Sequence, residues 1–137
     1  MYKEMKENNL EEDTITANAL LRCCSNIRGQ NVPEAIKRTV LQFAMEIFQS
    51  IHKSDMMQPS YHTYLLFLTV CRWTSQGKEY EKLLEMTFNL CTSNGLLDKK
   101  TFKRLVSDAP KSLLRKLFGR GGRVSFDELP KEWSRNI

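Results

Sequence analysis

The side chains that most clearly indicate a binding function are the basic ones between positions 99 and 123. Nine Lys or Arg residues stand there against a single Asp, so this block carries +8 whereas the whole chain carries +5. Such a density of positive charge attracts phosphates or an acidic protein surface. The alternative interpretation is a helical surface that is simply solvated. The block contains Lys99, Lys100, Lys103, Arg104, Lys111, Arg115, Lys116, Arg120 and Arg123.

Four cysteines and two histidines are the side chains that could hold a metal ion or act as nucleophiles. The cysteines show no Cys-x-x-Cys spacing, and His52 and His62 have no partner one helical turn away, so we predict no metal site. We expect the cysteines to be free thiols inside a helical core. Nucleophile motifs, phosphate-binding glycine loops and dinucleotide fingerprints are also missing, and we predict no catalysis, no cofactor and no small-molecule substrate. The cysteines are Cys23, Cys24, Cys71 and Cys91.

The elements that position these residues are predicted to be helices. Gly and Pro residues divide the chain into intervals in which apolar residues recur at helical spacing. Residues 33–53 predict an amphipathic helix, residues 60–75 the most buried helix, and Gly77 to Asn94-Gly95 a further amphipathic helix. A short helix is expected after Pro110. The apolar stripe expected in the first of these helices consists of Ile36, Val40, Phe43, Ile47 and Ile51.

Three segments of the chain align without gaps and indicate an internal repeat. They begin at Asp13, Ser60 and Asp98, each a residue type that favours the N-cap of a helix. The fourth position of each segment is Thr, at Thr16, Thr63 and Thr101. Because a helical hairpin cannot cover its own apolar face, stacking of consecutive hairpins is expected. The predicted fold is all-α, a right-handed α-solenoid of antiparallel helical hairpins.

The sequence predicts different structures for the two ends of the chain. Residues 1–12 are predicted to be a disordered acidic segment, and residues 13–137 to form the hairpin repeats with a degenerate last repeat and a C-terminal tail. Phe126, Leu129 and Trp133 are expected to fold back over the last hairpin, with Trp133 as a lid on the core rather than a base-stacking platform. We find neither a transit peptide nor an apolar run long enough to span a membrane.

Two segments of the chain, MMQPSYHTYLLFLTVC and QFAMEIFQSIHKSDMMQP, resemble parts of a known helical repeat. The first resembles the junction that opens a repeat of the pentatricopeptide repeat family, and the second resembles the end of a preceding second helix in that family. The closing residues Leu129-Pro130-x-x-Trp133-Ser134-Arg135-Asn136 resemble the tail of a group of unicellular-algal members. The resemblance implies helical hairpins that bind single-stranded RNA, and a setting in a mitochondrion or plastid.

The resemblance also implies which side chains contact RNA. In such repeats the base is read by the residue after the aromatic position of the first helix together with the last residue of the repeat, which corresponds to Asn18 with Ser60. In the next repeat the matching residues are Leu65 and Asp98, and leucine makes no hydrogen bond to a base. Ile15 and His62 hold the adjoining positions that pack between bases. Phosphates are expected at Lys99, Lys103, Arg104, Arg120 and Arg123.

Two other function classes are compared with RNA binding. A protein-binding scaffold of helical repeats is the principal alternative, and Leu65 favours it. A nuclease would require clustered aspartates around divalent ions, whereas Asp98, Asp108 and Asp127 are scattered among basic residues. The sequence therefore favours single-stranded RNA as the partner, leaves protein partners open, and predicts no enzyme.

Overall fold

A computed structural model describes residues 10–27, 32–54, 57–119 and 125–137 of the protein, and the regular secondary structure in these parts is helical. These parts contain no strand, which confirms the all-α prediction. Two 3-10 helices, Phe126–Glu128 and Lys131–Ser134, follow the α-helices. The α-helices are α1 (Leu10–Asn26), α2 (Glu34–Lys53), α3 (Tyr61–Thr74), α4 (Gly77–Ser93), α5 (Lys99–Asp108) and α6 (Lys111–Phe118).

The chain divides into two compact units, Met1–Thr74 and Ser75–Ile137. In the first, α1, α2 and α3 pack against one another in every pairwise combination. Their aromatic centre is the ring of Phe48, which stacks on Phe67 with centroids 4.0 Å apart. Both rings are withdrawn from solvent, and so is Tyr64 beside them. Burial of these side chains is the main source of stability of this unit.

The apolar stripe of α2 differs from the one predicted. Val40, Ile47 and Ile51 are buried as expected, but Ile36 and Phe43 are 47% and 45% exposed. The remaining buried face of α2 is formed by Leu41, Ala44 and Phe48 instead. The apolar face of α2 is thus wider than the part that α1 and α3 cover, and Ile36 and Phe43 at the edge of this face remain exposed to solvent.

A histidine links two helices of the first unit. The Nδ1 of His52 lies 2.8 Å from the carbonyl oxygen of Phe48 and its Nε2 lies 2.9 Å from the hydroxyl of Tyr64. Because a carbonyl oxygen only accepts, Nδ1 carries the proton and Nε2 accepts from Tyr64. Burial lowers the pKa of His52, so the neutral ring is favoured in the folded protein.

The second unit is built around a cluster of five aromatic rings from α4, α5, α6 and the two 3-10 helices of the C-terminal tail. Phe88 of α4 meets Phe118 of α6 and Trp133 of the tail edge-on, with ring centroids 5.4 and 5.3 Å away. Phe102 of α5 contacts Phe118 at 5.7 Å and Phe126 at 5.8 Å. The tail therefore completes the core of this unit, which confirms the predicted positions of Trp133 and Phe126.

The C-terminal residues also bind the end of α4. Asn136 donates its amide hydrogen to the carbonyl of Gly95, 2.8 Å away, and the Arg135 guanidinium donates to the carbonyl of Ser93 at 2.6 Å. Gly95 has φ +67°, and a Cβ there would lie 2.5 Å from the Cγ of Arg135. Glycine is required at this position both by the left-handed backbone and by the close approach of the tail.

The three predicted helix caps have different outcomes. Asp98 is the N-cap of α5 and accepts a hydrogen bond from the amide of Thr101 at 2.9 Å, as expected. Ser60 immediately precedes α3, but there the bond runs from its own amide to Thr63 Oγ1, at 3.0 Å. The prediction for Asp13 is wrong, because α1 already includes Leu10 and Asp13 lies inside it.

The predicted boundary after residue 12 also needs correction, since residues 10–12 belong to α1. The rest of that acidic segment lies outside the described residues. Within the described residues, none of the helices is both long and apolar enough to cross a bilayer.

Candidate functional site

The strongest concentration of charge lies on α5. Three residues on one side of this helix, Thr101, Phe102 and Leu105, are buried. Lys99, Lys100 and Lys103 are exposed on the remaining surface, with the half-buried Arg104 beside them. Since Asp98 is used as the N-cap, the acidic residue within α5 is Asp108 at its last position. The side of α5 away from the core is therefore a positively charged surface formed by these four side chains.

On α6 the cations are of two kinds. Lys111 and Arg115 are exposed. Lys116, by contrast, lies 2.9 and 3.1 Å from the two carboxylate oxygens of Glu85 on α4. This ion pair neutralises Lys116 and joins α6 to α4, although an exposed pair of this kind contributes only a fraction of a kcal/mol to about 1 kcal/mol.

A groove of about 310 Å³ lies beside that ion pair, between α4 and α6. The groove is lined by charges of both signs, from three lysines and two glutamates. Glu85 already binds one of these lysines, so little net positive charge remains in the groove. The lining residues are Lys78, Glu81, Lys82, Glu85, Ser112, Leu113 and Lys116.

Asn18 and Ser60, the base-reading pair implied by the resemblance, are brought together by a third residue. The hydroxyl of Thr63 accepts the amide hydrogen of Ser60 at 3.0 Å and donates to Oδ1 of Asn18 at 2.7 Å. Asn18 is half-buried and Thr63 fully buried. Because Oδ1 of Asn18 accepts this hydrogen bond, the Nδ2 group is the part of the amide that can donate to a ligand. Thr63 was not among the predicted site residues, although its recurrence at the fourth position of each segment was the available signal.

The third segment has no equivalent network among the described residues. Thr101 stands where Thr63 stands in the second segment, but its buried hydroxyl has no hydrogen-bond partner in the described parts of the chain. Leu65, at the position aligned with Asn18, is half-buried. The hydrogen-bonded amide is thus a property of the first of the three segments.

Aromatic side chains lie exposed near the start of α3. The rings of Tyr61 and His62 are 4.0 Å apart at an angle of 37°, and Tyr61 is 37% exposed. Ile15, on α1 three residues before Asn18, is 69% exposed. Tyr61 was not predicted as a site residue. The pairing of two aromatic residues at the first turn of a helix was the signal for it in the sequence.

The remaining predicted contacts, Arg120 and Arg123, lie outside the described residues. Three of the four cysteines are buried and Cys23 is exposed, so the expectation of four core thiols holds for three. Burial, with the charge of Asp98 as a smaller cause, raises the pKa of Cys91 to about 12. Within the described residues, no three His, Cys, Asp or Glu side chains form a group that could hold a metal ion.

No family model, curated protein or solved structure matches this chain.

Proposed function

We propose that this chain binds single-stranded RNA, chiefly through the phosphates of the strand. The observation that carries the proposal is the surface of α5, where Lys99, Lys100, Lys103 and Arg104 lie opposite the buried face of the helix. Phosphate contacts of this kind supply affinity with little dependence on sequence.

The position of these cations within α5 supports a role in binding. Lys99 and Lys100 are the first two residues of the helix, where the helix dipole is positive. Cations at this end are unfavourable by about 0.3–1 kcal/mol each at low salt. A sequence shaped for stability alone would favour Asp or Glu there, so the lysines point to an anionic partner.

The first unit offers contacts to bases. The Nδ2 group of Asn18, oriented by Thr63, can donate a hydrogen bond to an acceptor on a base edge. Tyr61 and His62 present aromatic surface on which a base can stack. Leu65 adds no hydrogen bond at the corresponding position of the next segment, so we propose that base readout is confined to Asn18 and its neighbours.

The proposal extends to the arrangement of the helices and to the setting. We propose a right-handed α-solenoid of antiparallel hairpins of the pentatricopeptide type, because three segments of the chain align as repeats. We also propose a role in organellar RNA processing or stability, which the resemblance to that family implies. The proposed activity is binding without catalysis.

Fluorescence anisotropy with pooled single-stranded RNA tests the proposal. We expect micromolar or tighter binding that weakens steeply with salt, and a loss of at least tenfold on Lys103→Glu with Arg104→Glu. The matched control is Arg22→Glu with Lys53→Glu, which reverses two exposed cations on the first unit. An absence of binding by the unmodified protein at low salt would refute the proposal.

A protein-binding scaffold is the second candidate. The exposed Ile36 and Phe43 on α2 favour it, because apolar side chains of this size commonly lie in interfaces. The same titration distinguishes the two candidates, since the scaffold predicts no affinity for RNA at low salt.

A further inference from the structure

The C-terminal tail, residues 125–137, is attached to the chain at two points on either side of the first residues of α5. The ring of Phe126 lies 5.8 Å from that of Phe102, which belongs to α5. At the second point the amide of Leu97, two residues before α5, donates a hydrogen bond to the carbonyl oxygen of Trp133 at 2.9 Å. The part of the tail between these two points therefore spans the start of α5.

Opposite charges lie on the tail and on α5 between the two points. The first residues of α5 are Lys99 and Lys100. The tail between the same points has three acidic residues and one lysine, so its net charge is −2. At about 1.5 Å per helical residue and at most about 3.6 Å per extended one, the Cα atoms of Leu97 and Phe102 lie within roughly 12 Å of each other. This separation is close to the Debye length of about 8–10 Å at 0.1–0.15 M salt, so the two sets of charges act on each other. The exposed acidic side chains are Asp127, Glu128 and Glu132.

The tail contributes rings to the edge of the aromatic cluster but is itself only partly buried. Neither of its 3-10 helices contains a buried residue, and Phe126 and Trp133 are half-buried. Hydrogen bonds to the backbone complete the attachment, including one from the hydroxyl of Ser134 to the carbonyl oxygen of Leu97. A segment that buries few apolar groups opens at a lower free-energy cost than the core does. Release of the tail is therefore expected to cost less than unfolding of the second unit.

We propose that the tail is an intramolecular competitor of RNA for the cations of α5. This inference rests on the proposed RNA binding and adds a means of regulating the same site. In its docked position the tail places acidic charge beside these cations and repels the phosphates of an approaching strand. A strand that displaces the tail gains the full attraction of the cations and loses only the docking contacts. The docked tail therefore lowers the affinity for RNA, and release of the tail raises it.

The first test removes acidic charge from the tail and leaves its docking contacts in place. Glu128 is retained, because its carboxylate accepts hydrogen bonds from the amide and the hydroxyl of Ser125. The charge variant, Asp127→Asn with Glu132→Gln, is expected to bind a short fluorescent oligouridylate about threefold more tightly, or better, at low salt. The gain should shrink as added salt screens the charges.

The matched control for this variant is Glu79→Gln with Glu81→Gln. It removes the same number of acidic charges from α4 of the same unit. An effect of the overall charge of the protein would appear equally in both variants, whereas competition by the tail predicts a larger gain for the charge variant.

The second test loosens the tail without a change in charge. The loosened variant, Ser134→Ala with Asn136→Ala, removes side-chain hydrogen bonds to the carbonyl oxygens of Leu97 and Asn94. Competition predicts that this variant also binds RNA more tightly than the unmodified protein. A tail that merely supports α5 predicts weaker binding, so the two roles give changes of opposite sign.

Displacement of the tail can be followed directly by the fluorescence of Trp133. In a background of Trp73→Phe, the emission of Trp133 should shift to longer wavelength as oligouridylate is added, because displacement exposes the ring to water. The midpoint of this shift should coincide with the midpoint of the anisotropy titration.

The outcomes separate this inference from the proposed function. If the unmodified protein binds RNA and the charge variant behaves as its control, the competition is wrong and RNA binding stands. Weaker binding by the loosened variant, or an emission of Trp133 that is unchanged at saturation, would also overturn the competition. If the unmodified protein does not bind, the proposed function itself fails. Thermal melts of all variants verify that the fold is intact.

Discussion

The docking of the C-terminal tail can be tested at Gly95. We consider Gly95→Ala together with Gly77→Ala, because both glycines have left-handed backbone, with φ of +67° and +62°. Forcing alanine into this conformation costs about 1–2 kcal/mol. A Cβ at Gly77 meets nothing within 4 Å, so Gly77→Ala should show this strain alone.

At Gly95 the added Cβ also displaces the tail. It would lie 2.5 Å from the Cγ of Arg135 and 3.1 Å from the Nδ2 of Asn136. Moving these residues breaks the bonds from Asn136 to Gly95 and Asn94 and the bond from Arg135 to Ser93. At about 0.5–1.5 kcal/mol for each of these three bonds, the additional destabilisation is about 1.5–4.5 kcal/mol.

Urea denaturation followed by the fluorescence of Trp133, with Trp73 replaced by Phe, measures the free energy of unfolding of the second unit. We expect the loss at Gly95→Ala to exceed that at Gly77→Ala. In a background of Arg135→Ala, which removes the Cγ, the excess should shrink. Equal losses for the two glycine variants in the unmodified background would refute the account of the tail.

Three further outcomes are expected. Phe67→Ala should destabilise the protein by about 3–5 kcal/mol in chemical denaturation because the ring is fully buried, whereas Phe43→Ala, at a half-exposed ring, should have a much smaller effect; equal effects would contradict the packing of α2 and α3. Because the pKa of His52 is lowered in the folded state, the unfolded chain takes up the proton first as the pH falls below 6.5, and the folded state loses stability as the pH falls. The difference in the free energy of unfolding between the unmodified protein and His52→Gln should therefore narrow from pH 7 to pH 5, and a constant difference would contradict a lowered pKa of His52. Iodoacetamide at pH 8 should modify the exposed Cys23 well before Cys91, whose pKa is raised to about 12, as peptide mass mapping would show; early labelling of Cys91 would indicate that α4 is not packed as described.

The sequence by itself determined the helices of this protein and several of their ends. Helical spacing and the stops at Gly77, Asn94-Gly95 and Pro110 act over a few residues, so they are readable without a tertiary fold. The N-cap at Asp98 was predictable for the same reason. The signal failed at Asp13, where a residue suited to a cap lies inside a helix that begins earlier.

Only the tertiary structure decided which faces of the helices are covered and which distant side chains meet. Ile36 and Phe43 fit the apolar period of α2 as well as Val40 does, yet their burial depends on where the neighbouring helices lie. The bond between Asn18 and Thr63 and the ring contact between Phe88 and Trp133 each join residues 45 positions apart. Local periodicity fixes the helical conformation, but contacts between chain-distant residues follow from packing, which no short window of sequence contains.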